Sequence, residues 1–291
     1  MKKEKLKITE LFRMKEENKK ITAITAYDCP TALLVDKAGI DIVLVGDTLS
    51  MVVLGYDSTL PVTMDEMIHH CKAVKRGVKR SIIVGDMPFM SYNVGKDDAI
   101  RNAGRFIKEG GCDVVKLEGG IIIKDIVKAI VESGIPVMGH IGLTPQTDTL
   151  SSGYKVKGKE ALEAIKVIQD AKILEDAGVF SIVLESIPTE VTKIIAEKIK
   201  IPLIGIGAGP DCDGQVLVLY DILGLFDKFE PRFIKKYANL NKEILKALKT
   251  YKAEIHKGIF PADQHCYNMD KSEFKKLEEL IEKSDLDESP F

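Results

Sequence analysis

Three features are missing from the sequence: paired cysteines, a surplus of positive charge and long apolar runs. The five cysteines are widely spaced and form no C-x-x-C pair, so neither a disulfide framework nor a zinc cluster is expected. Lys plus Arg number 42 and Asp plus Glu number 44, which gives a net charge of −2 and argues against a nucleic-acid partner. No stretch approaches the roughly 18 apolar residues of a membrane helix. We therefore expect a cytoplasmic protein with no membrane partner.

The composition is that of a folded chain. Hydrophobic residues make up 45% and charged residues 30% of the 291 residues, which supplies ample material for a core and argues against intrinsic disorder. The length fits one large domain or two small ones.

A repeated pattern indicates buried parallel strands. Each copy has a glycine where a helix would end, then a short, largely β-branched run, then a carboxylate, and the copies lie at 38–47, 110–118 and 177–185. The glycine suits the left-handed conformation that follows a helix. The run is apolar on both faces, as a parallel strand covered on both sides requires. Two further segments, 135–140 and 201–207, share a proline at the start of a strand, where no ladder hydrogen bond is needed.

Helix-period segments alternate with these runs and predict a barrel. One begins at Thr63 with a capping box that includes Glu66. Strands are predicted near 21–27, 42–46, 81–86, 114–118, 137–141, 181–185 and 203–207, with a weaker eighth within 215–220. Eight alternations predict the α/β class and a (β/α)8 TIM barrel, with additional C-terminal helices from about residue 239, the last of them capped by Ser272. The alternative is an open doubly wound sheet, but no G-x-G-x-x-G motif follows the first strand.

Polar side chains stand at the carboxyl ends of five successive predicted strands. They are Asp47, Asp86, Glu118, His140 and Glu185. Lys116 lies two residues before Glu118 and therefore points to the same side of its strand. This edge of a barrel carries the catalytic groups, and carboxylates crowded around it would repel each other unless a divalent cation compensated. A set with no thiolate and only one imidazole suits Mg²⁺ better than Zn²⁺.

Each of these residues also has a simpler interpretation when it is taken singly. The aspartates are typical of turns, the glutamates of helix starts, and a lone histidine is more often structural. Lys116 is the hardest to explain in that way, because lysine is rarely buried in a strand without a charged partner. Five independent structural roles at one edge explain less than one site does.

Two loops are further candidates. The glycines within 205–209 suit either a phosphate cradle or a tight turn beside a crowded site. The segment 142–158, rich in Gly, Thr and Ser, is long for a barrel loop and is predicted to close over the site as a lid. Cys112 and Cys212 have no histidine partner placed by spacing, so both are interpreted as structural.

Several stretches together resemble the ketopantoate hydroxymethyltransferase family. They are TAYD at 25–28, VGDTL at 45–49, GYDSTLPVT at 55–63, DMPF at 86–89, VKLEGG at 115–120, GHIGLTPQ at 139–146, GYKVKG at 153–158, LE at 184–185 and IGIGAG at 204–209. No single stretch is specific, but the set, which spans roughly residues 5–267, is highly specific.

The resemblance implies a Mg²⁺-dependent (β/α)8 barrel, usually a homodecamer, with one Mg²⁺ per subunit and small-molecule substrates. The implied reaction transfers a hydroxymethyl group from 5,10-methylenetetrahydrofolate to 3-methyl-2-oxobutanoate and forms 2-dehydropantoate, in pantothenate and coenzyme A biosynthesis. The resemblance also implies a catalytic domain over 1–267 and a C-terminal helical extension over 268–291, outside the family core.

The resemblance assigns roles to the residues at the rim. The expected metal ligands are Asp47, Asp86 and Glu118, the last directly or through water. The expected contacts of the oxo acid are Asp47, Thr48, Asp86, Lys116 and His140. The expected general base is Glu185. The family commonly has Ser-Leu-Gly after the first aspartate, where this chain has Thr48, Leu49 and Ser50, so the hydroxyl is kept with less room around it.

The residue inventory matches that chemistry, which needs a carbanion at C3 of the oxo acid. A chelated divalent ion would stabilise the enolate, Lys116 would add positive charge at the substrate carboxylate, and Glu185 would take the proton. Two other interpretations stay open: a carbon–carbon lyase or mutase of the phosphoenolpyruvate mutase and isocitrate lyase type, and a non-catalytic barrel used as a scaffold. The segments 115–120 and 153–158, and the absence of a K-K-C-G-H motif, favour the transferase.

Overall fold

Eight parallel strands close into a barrel in the computed structural model, which describes residues 4–147, 155–226 and 231–283. The strands are β1 (Ile21–Thr25), β2 (Ile42–Val45), β3 (Ile82–Asp86), β4 (Val114–Glu118), β5 (Val137–Gly142), β6 (Ser181–Glu185), β7 (Leu203–Ile206) and β8 (Gly214–Leu217). Each strand pairs with its neighbours in sequence order, and β8 pairs with β1 to close the sheet. The predicted (β/α)8 barrel is therefore confirmed.

The helices alternate with the strands around the outside of the barrel. Those of the described barrel residues are α1 (Ile8–Glu16), α2 (Cys29–Ala38), α3 (Leu49–Val52), α4 (Met64–Gly77), α5 (Lys96–Lys108), α6 (Lys124–Glu132), α7 (Ala161–Ala177), α8 (Thr189–Lys198) and α9 (Leu219–Ile222). The predicted capping box is present, because Thr63 Oγ1 accepts from the Glu66 N–H at 3.2 Å and the Glu66 carboxylate accepts from the Thr63 N–H at 2.8 Å. That box makes α4 begin at Met64.

Apolar side chains fill the barrel interior near the amino ends of the strands, and polar residues line it near the carboxyl ends. Ile42, Ile82 and Val114, near the amino ends of their strands, pack with Leu11 and Met14 of α1 in one buried cluster. A second apolar layer lies between the strands and the surrounding helices. Because α1 and these apolar side chains close the amino end of the barrel, solvent reaches the interior at the carboxyl edge of the strands.

Three carboxylates tie neighbouring strands together at the amino edge. Asp41, Asp113 and Asp213 each stand directly before an even-numbered strand. Each accepts a hydrogen bond from a backbone N–H at the start of the preceding odd-numbered strand, and those donors are Thr22, Ile83 and Leu203. Each also has a cationic partner, respectively Arg80, Lys5 and Lys15. These bonds stabilise the amino edge of the barrel, which lies opposite the carboxyl ends of the strands.

The chain divides into two compact units, Met1–Ala238 and Asn239–Phe291. The second unit contains α10 (Leu240–His256), a short 3-10 turn (Asp263–His265) and α11 (Lys271–Lys283), so C-terminal helices are present as predicted. The predicted cap is wrong by two residues: the Asp270 carboxylate accepts from the Ser272 N–H at 2.8 Å, and Ser272 lies inside the helix. The domain boundary after 267 stays a prediction. None of the described helices is both long enough and apolar enough to cross a bilayer.

Candidate active site

The carboxyl edge of the barrel surrounds a cavity of about 340 Å³. Its lining includes the residues that the sequence singled out, namely Asp47, Thr48, Asp86, Lys116, Glu118, His140 and Glu185. They come from five consecutive strands, β2 to β6, or from the residues just after them. The strand register sets Asp86 beside Lys116 and Glu118 beside His140, so side chains distant in sequence become neighbours.

Lys116 is held between two carboxylates. Its Nζ donates to Oδ1 and Oδ2 of Asp86 at 2.8 and 2.9 Å and lies 3.7 Å from Glu118 Oε1. Burial opposes the charge on the amine, but the carboxylates around it raise the pKa of Lys116 above its ordinary value. Burial also raises the pKa of Asp86, and the Lys116 charge offsets only part of that effect. Lys116 is therefore a fixed, buried positive charge beside an acidic group.

Asp47 is 3% exposed and lies against two other carboxylates. Its backbone N–H donates to Asp86 Oδ2 at 3.3 Å, and its Oδ2 accepts from Gln146 Nε2 at 2.9 Å. Burial, followed by repulsion from Asp86 and Glu118, raises the pKa of Asp47 well above its ordinary value. Lys116 and the Gln146 hydrogen bond offset only part of this effect, so an additional cation would stabilise the charged carboxylate.

His140 lies between two glutamates. Its Nδ1 is 3.1 Å from Glu118 Oε1, and its Nε2 is 3.2 Å from Glu185 Oε2, although the second contact is not aligned as a hydrogen bond. Burial and Lys116 oppose a charged imidazole, but Glu118 and Glu185 raise the pKa of His140 to about 9. Burial opposes ionisation of Glu118, but His140 and then Lys116 lower its pKa. The Glu185 side chain is 16% exposed, against 2% for Glu118, so it faces the open part of the cavity.

The charges around the cavity fit a bound divalent cation. Its inner wall carries four carboxylates, Asp47, Asp86, Glu118 and Glu185, together with the cationic Lys116 and His140. Within the described ranges, no three His, Cys, Asp or Glu side chains make a preformed metal-binding cluster. Mg²⁺ does not need one, because proteins commonly bind it through one or two carboxylates, with waters and substrate oxygens completing the shell. Asp47 and Asp86 are suited to that role, because they are buried, adjacent and mutually repulsive.

Thr48 lines the cavity next to Asp47, and its hydroxyl is oriented by a buried tyrosine. Tyr27 Oη and Thr48 Oγ1 are 2.8 Å apart, and the Tyr27 ring is buried. The second departure from the family pattern, Ser50, is fully buried and donates from Oγ to the Ser58 carbonyl at 2.7 Å. That bond ties α3 to the loop that follows it.

Two residues at the site were missed at the level of sequence. Gln146 is completely buried, and its Nε2 donates to Asp47 Oδ2 and to the Met87 carbonyl, both at 2.9 Å. Its backbone N–H donates to Glu118 Oε2 at 3.1 Å, and its Oε1 accepts from Tyr92 Oη at 2.7 Å. The one available signal was that Gln146 ends the family-like stretch 139–146. Tyr92 gave no signal, because a loop aromatic shows no periodicity.

The glycines after β7 are required by packing. Gly207 and Gly209 have φ angles of +63° and +84°, and a Cβ on Gly207 would lie 2.6 Å from the Phe233 ring. These facts account for the glycines as a tight turn, and the phosphate cradle stays a prediction. Cys112 and Cys212 are both buried, in keeping with structural roles. Of the predicted lid over 142–158, residues 148–154 lie outside the described part of the chain.

A family model and individual relatives in the known sequences point to the same family. A sequence model described as Ketopantoate hydroxymethyltransferase matches residues 5–263. A protein of Thermoanaerobacter pseudethanolicus named 3-methyl-2-oxobutanoate hydroxymethyltransferase is 54% identical over 272 residues, which is 94% of this chain and 99% of that protein. A protein of the same name from Syntrophomonas wolfei is 55% identical over 263 residues, which is 90% of this chain and 95% of that protein.

Solved structures with the same fold are more distant in sequence. A phosphonopyruvate hydrolase solved with oxalate and Mg²⁺ superimposes with a TM-score of 0.58 at 12% identity, over 95% of this chain and 96% of that one. A 2,3-dimethylmalate lyase of the PEP mutase/isocitrate lyase superfamily gives a TM-score of 0.57 at 15% identity, over 96% and 97% of the two chains. At these identities the similarity concerns the barrel fold alone.

Proposed function

The chain belongs to the ketopantoate hydroxymethyltransferase family, and on that premise we propose that it transfers a hydroxymethyl group from 5,10-methylenetetrahydrofolate to 3-methyl-2-oxobutanoate, forming 2-dehydropantoate. The observation that carries the proposal is the convergence of acidic and basic side chains from five consecutive strands on one cavity. A cytoplasmic homodecamer with one Mg²⁺ per subunit is part of the same proposal, by family resemblance.

Asp47 and Asp86 would hold the divalent cation, with Glu118 near them either directly or through water. Their burial and raised pKa values support this assignment, because both carboxylates lack enough positive charge among the protein groups. When bound, the cation would act as a Lewis acid on the carboxylate and keto oxygens of the oxo acid and so make its C3 hydrogen more acidic. Asp47 and Asp86 would therefore contact the substrate through the ion that they share.

Lys116 binds the anionic end of the oxo acid. An ammonium group has three N–H donors, and the Asp86 oxygens accept two of them at 2.8 and 2.9 Å. The third donor remains for a substrate oxygen. Because the amine is buried and its pKa is raised, it stays charged throughout the working pH range and adds electrostatic stabilisation as negative charge develops. Thr48, oriented by Tyr27, supplies a further hydroxyl to the same substrate.

Glu185 removes the C3 proton. Its carboxylate ends β6, faces the open part of the cavity and lies 3.2 Å from His140 Nε2. His140 is itself fixed from its other side by Glu118, so the imidazole positions Glu185 and compensates its charge. The carbanion at C3 then forms a carbon–carbon bond with the one-carbon unit, both C–N bonds that held this unit to the folate break, and water supplies the hydroxyl oxygen of the product. Tetrahydrofolate leaves with one proton on each freed nitrogen, one of them the proton that Glu185 removed and the other from the same water.

An assay of product formation tests this function directly. Purified protein, 5,10-methylenetetrahydrofolate and 3-methyl-2-oxobutanoate should give 2-dehydropantoate when Mg²⁺ is present. A chelator should abolish the product, and excess Mg²⁺ should restore it. The variants Asp47→Asn and Asp86→Asn should remain folded and bind Mg²⁺ much more weakly, because an amide oxygen carries no charge for a hard cation. Product formation that is indifferent to chelator and to both substitutions would contradict the proposal.

A further inference from the structure

The cavity extends outward beyond the acidic residues. We define the outer chamber as the part of its lining formed by Met51, Val52, Val156, Phe226, Arg232 and Phe233. The inner residues such as Asp86 and Lys116 are at most 4% exposed, whereas Val156 is 41% exposed, so the lining grades from buried to open. An oxo acid of eight heavy atoms occupies only the inner part of a cavity of about 340 Å³. The outer chamber is therefore available to a second, larger molecule.

We propose that the outer chamber binds the ring system of a reduced folate, and that Arg232 together with Lys155 binds its anionic glutamate tail. This inference rests on the proposed function and names the site of its co-substrate. The order of the two parts follows from the chemistry, since the one-carbon unit, carried on the ring nitrogens, must reach C3 of the oxo acid on the inner wall. The tail must then point outward.

The walls of the outer chamber suit a flat aromatic body. Two phenylalanines, two valines and a methionine line it, and an aromatic ring gains apolar burial and stacking energy against such a surface. The Phe233 ring packs closely against Gly207. A Cβ at residue 207 would lie only 2.6 Å from the ring, so the glycine makes this packing possible.

Among the described residues that line the cavity, the two exposed charged ones are both cationic. Lys155 and Arg232 both line the cavity, and both are exposed. Among the described residues, neither forms an ion pair or a hydrogen bond that would neutralise it. On the inner wall, four carboxylates already surround the cationic Lys116 and His140, so a tail of one or two carboxylates is better matched by the exposed pair. Arginine is well suited to such a tail, because its guanidinium binds a carboxylate through two parallel hydrogen bonds.

Binding of two related probes tests the inference. Tetrahydrofolate carries the glutamate tail, and tetrahydropteroate has the same rings without it. We expect Arg232→Gln to weaken tetrahydrofolate binding about fivefold and to leave tetrahydropteroate binding unchanged, as a half-exposed ion pair predicts. Phe233→Ala should weaken both probes about tenfold through lost stacking. Titration calorimetry of the full chain with Mg²⁺ and the oxo acid present measures all of these affinities.

Arg76→Gln is the matched control, because Arg76 is exposed in the last turn of α4, at the opposite end of the barrel. It should bind both probes as the unaltered protein does. Equal affinities for tetrahydrofolate in the unaltered protein and in Arg232→Gln would overturn the inference, as would a loss in Arg232→Gln that is the same for both probes. Those outcomes leave the proposed function standing. Failure of the unaltered protein to bind either reduced folate would overturn both.

Discussion

At the scale of single residues, three buried carboxylates of the site each contact a different polar side chain. Lys116 binds Asp86, His140 contacts Glu118, and Gln146 donates to Asp47. Of these three partner side chains, Lys116 and His140 are cationic and Gln146 is neutral. Asp47 is accordingly the carboxylate whose pKa is raised mainly by burial and by its acidic neighbours. It is therefore the group with the most to gain from a bound cation, and Gln146 fixes the direction in which it points.

We expect Gln146→Met to weaken Mg²⁺ binding by about 10- to 100-fold, the usual cost of removing a residue that orients a metal ligand. Methionine keeps the approximate volume but cannot donate to Asp47 Oδ2 or to the Met87 carbonyl. Titration with Mn²⁺ by electron paramagnetic resonance measures affinity without turnover.

Tyr92→Phe serves as the control for that substitution. It removes the Oη that lies 2.7 Å from Gln146 Oε1 but leaves the Gln146 bond to Asp47, so a much smaller loss is expected. Equal Mn²⁺ affinities in Gln146→Met and in the unaltered protein would rule out the positioning role.

The contrast between Asp47 and Gln146 marks what residue-level sequence reasoning can find. Asp47 follows a buried strand, so the fold class alone assigns it to the rim. Gln146 lies in the helical residues 145–147 that follow β5, and Phe233 lies in a turn, so neither helical period nor strand position indicates where these side chains point. Their contacts depend on how these segments fold back on the barrel, which comes from long-range packing such as the approach of Phe233 to Gly207.

At the scale of elements, carboxylates connect consecutive segments along the amino edge of the barrel. Asp36, in the last turn of α2, binds the start of β3: it accepts from the N–H groups of Lys79, Arg80 and Ser81 at 3.1, 2.9 and 2.8 Å, and from the Ser81 hydroxyl at 2.9 Å. Although burial opposes its charge, these donors lower the pKa of Asp36.

That network predicts a pH-dependent contribution to stability. Because the folded pKa lies below the unfolded one, the unfolded state binds more protons, and the contribution is present above pH about 4 and lost as the pH falls through the folded pKa. Asp36→Asn should cost about 1–2 kcal/mol of unfolding free energy at pH 6, and this difference should shrink towards pH 3. Urea unfolding of both proteins across that range is the measurement. A difference in unfolding free energy that does not change with pH would mean that the charge of Asp36 is not involved.

The elements themselves were largely accessible from sequence. Buried parallel strands carry apolar residues on both faces, so the runs at 42–45, 114–118 and 181–185 stood out against amphipathic helices. The eighth strand gave a weaker signal because it begins with a glycine and includes the exposed Gln215. The cap of α11 was misassigned because Asp270 and Ser272 are both good capping residues, and only their geometry decides between them.

At the scale of the whole molecule, stability and chemistry occupy opposite ends of the barrel. The cavity is lined by residues between 25 and 233, all within the first compact unit. The described part of α11 has no buried residue. We therefore expect a chain truncated after Met269 to keep its Mg²⁺ affinity and its rate of product formation. A truncated protein that is folded and assembled but inactive would assign the C-terminal helix a part in catalysis.

The most direct test of the account is hydrogen exchange at C3 of 3-methyl-2-oxobutanoate in D₂O, followed by NMR without any folate. Proton removal needs only the divalent ion, Lys116 and Glu185, so the unaltered protein with Mg²⁺ should exchange this hydrogen, and chelator should stop the exchange. Glu185→Gln should lower the exchange rate by about 10²- to 10⁴-fold while still binding the oxo acid, because an amide cannot accept the proton. Exchange in Glu185→Gln at the rate of the unaltered protein would contradict the assignment of Glu185 as the base and would point to His140.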